Sequence, residues 1–136
     1  MLPNAPAART NQGHLTIYGD GKQVRDLLYV DDLVSLMQRA CADIKRAAGQ
    51  IYNVGGGPAN TISVWTELRE PLETLVGVLP SVTYAEFRPG DQKIYVSDIR
   101  KAHQHLSWTP RVGVTDGLRR MAEAFKQHRK AAVAQQ

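Results

Sequence analysis

From Ile51 to Phe87 the sequence sets out an ordered series. An apolar tetrad, Ile51 to Val54, is followed by the glycine-rich run Gly55-Gly56-Gly57-Pro58-Ala59-Asn60. A segment with one apolar helical face (Val64, Leu68, Leu72, Leu75, Val76) comes next, then a second β-prone run from Val82 to Phe87. Strand, helix, strand in this order is a βαβ unit, with two parallel strands and a right-handed crossover. It places the chain in the α/β class. Thr61 or Ser63 would cap the helix, and Pro71 falls inside it. There proline removes a backbone donor and clashes with the preceding turn, so a kink or break is expected. Upstream, Leu15 to Tyr18 alternates, and a second apolar run, Val24 to Val30, follows across Gly19-Asp20-Gly21-Lys22-Gln23, the signature of a β-hairpin. Asp31 or Asp32 then caps a helix with Leu33, Leu36, Met37, Ala40, Cys41, Ile44, Ala47 and Ala48 on its apolar stripe and Gly49 as its stop. Downstream, Ser97 or Asp98 caps a short helix to about Leu106, a Trp108-Thr109-Pro110 turn ends it, and Thr115 or Asp116 caps the last helix. The expected fold is a small mixed α/β domain with a β-hairpin, one βαβ unit and about four helices.

Size limits this to one domain. At 136 residues and 15.1 kDa, folding buries roughly two thirds of the chain's surface, enough for one core but not two. The division reads as an irregular arm over 1–14, a domain over 15–130 and a frayed tail over 131–136. No window approaches the ~20 unbroken apolar residues of a membrane span. The first residues, with Arg9 and no apolar core, do not make a secretory signal. The chain therefore reads as cytoplasmic, with no membrane partner. Cys41 is the only cysteine, so no internal disulfide forms, and no His, Cys and carboxylate cluster has metal-ligand spacing. On its stripe, Cys41 reads as a buried small hydrophobe rather than a nucleophile. The formal net charge of +4 belongs to one segment, where Arg119, Arg120, Lys126, Arg129 and Lys130 face only Glu123. Leu118, Met121, Ala122 and Phe125 give that helix its apolar side, so its cations occupy the solvated face. Nucleic-acid binding is the weaker reading, because no aromatic residues interleave with the cations.

Several apparent motifs are decoys. Gly55-x-Gly57 opens like a dinucleotide fingerprint, but the third required glycine falls on Asn60. Tyr18 and Lys22 have Tyr-x-x-x-Lys spacing, yet Gly19-Asp20-Gly21 between them belongs to a turn, so the pair shares no helical face. His103 and His105 point to different sides of a helix and read as surface or partly packed, while Trp65 and Trp108 read as packing residues. One constellation remains. Ligands of parallel sheets settle beyond the carboxyl ends of strands, and two loops leave such ends, Gly55 to Asn60 and Arg88-Pro89-Gly90-Asp91. These loops should lie side by side. Arg88 offers a planar fork for phosphate oxygens, Asp91 can accept from sugar hydroxyls, and Arg25 supplies another cation. From spacing alone, surface arginines in ordinary salt bridges explain the same residues.

Taken in order, the motifs Leu15-Thr-Ile-Tyr-Gly-Asp-Gly-Lys-Gln-Val-Arg-Asp26, Tyr29-Val-Asp-Asp-Leu33, Tyr52-Asn-Val-Gly-Gly56, Arg88-Pro-Gly-Asp91 and Leu106-Ser-Trp108 resemble the extended short-chain dehydrogenase/reductase family. These are the NAD-dependent sugar-nucleotide epimerases and dehydratases, and the wording is nearest their CDP-paratose 2-epimerase and dTDP-glucose 4,6-dehydratase branches. The match runs from about Leu15 to Phe125. The resemblance implies the carboxyl-terminal substrate lobe of such an enzyme. Arg25 and Arg88 would face the diphosphate of a nucleoside diphosphate-sugar, Asp91 the ribose, and Tyr18 would lie beside the nucleoside. Asn53 and the glycines after it would shape a strand end. It also implies that NAD, the catalytic Tyr-x-x-x-Lys helix and the Rossmann sheet belong to the other half of the complete enzyme, so this chain alone is expected to bind no NAD and to be inactive. Pro71 departs from the family's long helix. The expected partners are a nucleoside diphosphate-sugar and either a second copy, exchanging the Met1 to Gly13 arm, or a separate Rossmann half. A self-associating or docking module without a ligand is the rival reading.

Overall fold

In the computed structural model, which describes residues 13–133, the elements run β1 (His14–Tyr18), β2 (Val24–Asp26), α1 (Val30–Ala42), α2 (Ile44–Ala47), β3 (Thr61–Ser63), α3 (Arg69–Val76), β4 (Ser81–Ala85), β5 (Ile94–Tyr95), α4 (Arg100–Leu106) and α5 (Val114–Val133), with one turn of 3-10 helix at Pro58–Asn60. The α/β class stands. Residues 1–12 of the arm and 134–136 of the tail lie outside the described residues, as does the proposed arm exchange, while His14 begins β1 and residues 131–133 continue α5.

The hairpin does not form. β1 pairs in parallel with β4, His14 opposite Ser81 and Tyr18 opposite Ala85. β2 is the centre of a second sheet, antiparallel to β3 and parallel to β5. The cause lies in the connection. Gly19 and Gly21 adopt positive φ, and the Gly21 carbonyl accepts the backbone N–H groups of Trp65 and Thr66, so the chain is drawn across to Trp65 instead of turning back on β1. The Gly19 N–H goes to the Ala85 carbonyl, 2.8 Å away, extending the β1–β4 ladder.

The βαβ unit is likewise rearranged. Ile51 to Val54 joins neither sheet: Tyr52 and Val54 pack on the core while Ile51 is 85% exposed. Residues 61–63, expected to cap the helix, form β3 instead. Ser63 still caps the turn after it, reciprocally, since its Oγ accepts the Glu67 N–H at 3.0 Å while Glu67 Oε2 accepts the Ser63 N–H at 2.6 Å. The regular helix starts only at Arg69, which places Pro71 in the first turn, where a missing N–H costs nothing. The expected break is therefore met by a late start. Gly77, at positive φ, closes the helix with its N–H on the Glu73 carbonyl.

The single long helix expected from Leu33 to Gly49 is interrupted at Asp43, giving α1 and α2, and it begins at Val30 with Tyr29 as N-cap, so Asp31 and Asp32 fall in the first turn. Its apolar stripe divides. Leu36 is buried and Leu33, Ala40 and Ala47 half-buried, but Met37, Cys41 and Ile44 are exposed. Cys41 is thus not the buried hydrophobe its spacing suggested. The core is Leu36, Ala102, Leu106 and Trp108, with Leu28, Tyr52, Val54 and Ile99 against it. Trp108 is 1% exposed, and its indole N–H reaches the Asp32 carbonyl at 3.0 Å and Ser35 Oγ at 2.9 Å. The Asp32 carboxylate accepts the Val112 N–H, fixing the segment before α5 to α1. Asp98 accepts the Arg100 N–H at the start of α4. Thr115 and Asp116 lie within α5, which begins at Val114, and of its expected apolar side only Leu118 is buried. Among the described cations of α5, Arg119 pairs with Asp116 and Glu123, and Arg120 with Asp116.

Candidate functional site

The Arg88–Asp91 turn follows β4, and β1 ends beside it through the pairing of Tyr18 with Ala85. That register brings three of the four candidate residues into contact. The Arg88 guanidinium lies over the Tyr18 ring, 4.6 Å from its centroid. Arg88 Nε donates to Asp91 Oδ2 at 3.0 Å, and the Asp91 N–H closes the turn on the Arg88 carbonyl. Arg25 reaches the same turn from β2. Its Nη2 donates to the Gln92 carbonyl at 2.8 Å, one residue past Asp91, and its Nη1 to the Val24 carbonyl at 2.7 Å.

Chemically, this is a short cationic rim. An arginine has five N–H donors. Asp91 occupies the Nε of Arg88, and the aromatic face below restrains the plane of the guanidinium, so the paired Nη groups remain as the fork that suits a phosphate. Asp91 keeps its second oxygen for a hydroxyl donor. Arg25 is committed to two backbone carbonyls, so it contributes charge more than a free fork. The ordinary salt bridge that spacing allowed is present in Arg88–Asp91. An open cleft of about 420 Å³ between α3 and β4, lined by Trp65, Arg69, Glu73, Ser81 and Tyr84 among others, includes none of the four residues.

The glycine loop has a different job. A Cβ on Gly55 would stand 2.2 Å from Ser97 Oγ and 2.3 Å from Asp26 Oδ2, and one on Gly56 would stand 2.0 Å from the Leu27 carbonyl oxygen. These glycines are therefore needed for the close approach of the loop to this chain's own atoms. Its neighbours are Asp26, Leu27, Ser97 and Ile99. The expected placement beside the 88–91 turn depended on a βαβ sheet that is not formed.

Sequence reasoning missed Asp26, the residue that organises this region. Its carboxylate accepts the Gly57 N–H at 2.9 Å and is hydrogen-bonded by the backbone and hydroxyl of Ser97. Burial by itself would raise the Asp26 carboxyl, but these bonds together outweigh it and hold the carboxyl below its ordinary value. A carboxylate at the end of a strand, in a chain with three consecutive glycine N–H groups to satisfy, was the available signal. Among the described residues no group of His, Cys and carboxylate side chains is placed to hold a metal.

The protein comparisons agree with one another. Residues 3–121 match the family model described as GDP-mannose 4,6 dehydratase. The chain is 37% identical to CDP-paratose 2-epimerase of Salmonella typhi over 106 residues, 78% of this chain and 31% of that protein. It is 34% identical to dTDP-glucose 4,6-dehydratase of Haemophilus influenzae over 134 residues, 92% of this chain and 38% of the relative. Among solved structures, UDP-glucuronic acid 4-epimerase from Bacillus cereus, in complex with UDP-glucuronic acid and NAD, superposes with a TM-score of 0.73 at 32% identity, covering 85% of this chain and 36% of that one. The chain thus spans about a third of the length of these relatives. Motif order, fold and sequence identity lead to one conclusion: this chain belongs to the family of NAD-dependent sugar-nucleotide epimerases and dehydratases.

Proposed function

We propose that these residues form a nucleoside diphosphate-sugar binding lobe, with Arg88 taking the diphosphate, Asp91 the ribose, Arg25 adding positive charge and Tyr18 lying beside the nucleoside. The observation that carries this reading is the contact series Tyr18–Arg88–Asp91, with Arg25 bonded to the next residue of the same turn. The complexed neighbour supports it, since that protein holds UDP-glucuronic acid. The lobe supplies grip and orientation. Proton abstraction would need a Tyr-x-x-x-Lys pair on one helical face, and here Tyr18 ends a strand while Lys22 follows two positive-φ glycines. Hydride transfer to NAD, the chemistry of the family, is accordingly assigned to residues outside these 136.

A thermal-shift series with UDP-, dTDP- and CDP-sugars tests the proposal. A ligand at ~100 times its dissociation constant stabilises the fold by about 2.7 kcal/mol, a rise of several degrees for a domain of this size. Arg88→Ala should remove most of that rise and leave the ligand-free melting point nearly unchanged. Asp91→Ala should weaken nucleoside diphosphates more than inorganic pyrophosphate. Absence of any shift with millimolar ligand would discard the binding reading in favour of an interaction module.

A further inference from the structure

The open cleft of about 420 Å³ between α3 and β4 has two dissimilar walls. Trp65, Arg69, Glu73 and Gly77 line one at intervals of four, the spacing of a single helical face, with Trp65 just ahead of the helix. Val82 and Tyr84, two apart on the strand, line the other. Trp65 is buried and Tyr84 is 59% exposed, so the apolar lining runs from the interior to the surface.

Two charges stand in the helical wall, and folding accounts for neither. A helix has its positive pole at the N-terminus, where Arg69 is the first residue of α3, and its negative pole at the C-terminus, where Glu73 begins the last turn. Each charge therefore faces the pole of its own sign. Nor do the two relieve each other. Arg before Glu at i, i+4 is the weaker order for a helical pair, and among the described residues neither side chain has an ion-pair partner. A local rule broken twice with no return inside the fold points outside it, to a ligand.

The same two groups decide the ligand's charge. The guanidinium fork of Arg69 suits a carboxylate. Glu73, one turn on, suits an ammonium and repels a phosphate, which sets this cleft apart from the Arg88 rim. Its volume lies near the lower end of the roughly 300–1,000 Å³ of small-molecule sites. We propose that the cleft is a second binding site, for a free α-amino acid with an apolar side chain. The carboxylate lies on Arg69, the ammonium on Glu73, and the side chain against Trp65, Val82 and Tyr84. In that pose the ligand's negative end is at the positive pole of α3 and its positive end is toward the negative pole, so one zwitterion answers both conflicts.

Titration of the isotope-labelled full chain with L-phenylalanine and L-leucine, followed by NMR, tests this. Amide shifts centred on residues 65–84 should saturate with a dissociation constant of about 0.1–10 mM, as expected of a few charge-assisted contacts in an open cleft. Phenylpropionate, which lacks the ammonium, and phenethylamine, which lacks the carboxylate, should each bind at least about tenfold more weakly than L-phenylalanine. Arg69→Gln should remove the preference for L-phenylalanine over phenethylamine and keep the one over phenylpropionate, and Glu73→Gln should do the reverse. Both positions are exposed, so circular dichroism should show the fold retained. No saturable shift at these residues with either amino acid up to about 50 mM overturns the proposal. So do analogues that bind as tightly as L-phenylalanine, variants that leave both preferences unchanged, or saturation of the same residues by UDP alone.

Discussion

Removing the Asp26 carboxylate is the sharpest probe of how the site is supported. In Asp26→Ala the Gly57 N–H loses its acceptor at 2.9 Å, and the buried Ser97 loses its partner as well. A hydrogen bond to a charged group contributes about 1.5–3 kcal/mol, and a buried donor left unpaired costs about 1–3 kcal/mol. Because the residue is half-buried and its bonds share one group, these do not add, and a total of about 2–4 kcal/mol is expected. For a domain of this length that lowers the melting temperature by roughly 10 °C. The acid limb supplies a second readout. The folded carboxyl lies below its unfolded value, so its contribution is fully present above the unfolded pKa and is lost as pH falls through the folded one. Asp26→Ala should therefore flatten the stability loss on acidification below about pH 4. A third readout is coupling. The Cβ of Gly55→Ala meets Asp26 Oδ2 at 2.3 Å, so Asp26→Ala should relieve part of the cost of Gly55→Ala, and the double variant should be less destabilised than the sum. Urea unfolding of the four proteins at pH 7, pH 4 and about pH 2.5 decides it. A loss under about 0.5 kcal/mol for Asp26→Ala, with strict additivity, would refute the assignment of this carboxylate as the support of the loop.

Ser107 sits in the left-handed region at φ 50, so Ser107→Gly should stabilise by about 0.5–1 kcal/mol in urea melts. Trp108→Phe keeps most of the ring but drops the N–H bonded to Asp32 and Ser35, and should cost about 2 kcal/mol by the same measurement. Gly56→Ala, whose Cβ meets the Leu27 backbone carbonyl with no flexible side chain to yield, should shift the backbone and lower the melting temperature more than Gly113→Ala, where the space is open.

What could be read from the sequence was local. The burial of Trp65 and Trp108 and the i, i+3 relation that joins Arg88 to Asp91 act within a few residues or one apolar face, whereas the expected helix caps did not hold, since the N-caps of α3 and α4 are Leu68 and Ile99. Strand partners were not legible, because Val24 and Leu15 look equally suited to a hairpin, and the decision falls to Gly21 docking on Trp65 from 44 residues away. The exposure of Met37 was missed for a related reason. Leu36 and Met37 are neighbours in sequence and both apolar, so the periodicity merges two faces into one broad stripe, and only packing shows that Met37 stays outside. Asp26 was overlooked because its partners, Gly57 and Ser97, are 31 and 71 residues downstream.

The parallel pairing of β1 with β4 fixes the order in which the molecule can be made. His14 and Ser81 are 67 residues apart, and closing a loop of that length costs about 4 kcal/mol in chain entropy before the first ladder bond repays it. At ribosomal rates β1 waits roughly 3–13 s for its partner to be synthesised. Through that interval Leu15 and Ile17 lie on an unsatisfied edge, while the Gly21–Trp65 contacts, closed over a shorter loop, form first and hold β1 near the place where β4 will arrive. The Gly19–Gln23 linker thus works as a temporal bridge as well as a spatial one, and amide exchange on refolding should find β1 gaining protection together with β4 and after the Gly21–Trp65 contacts.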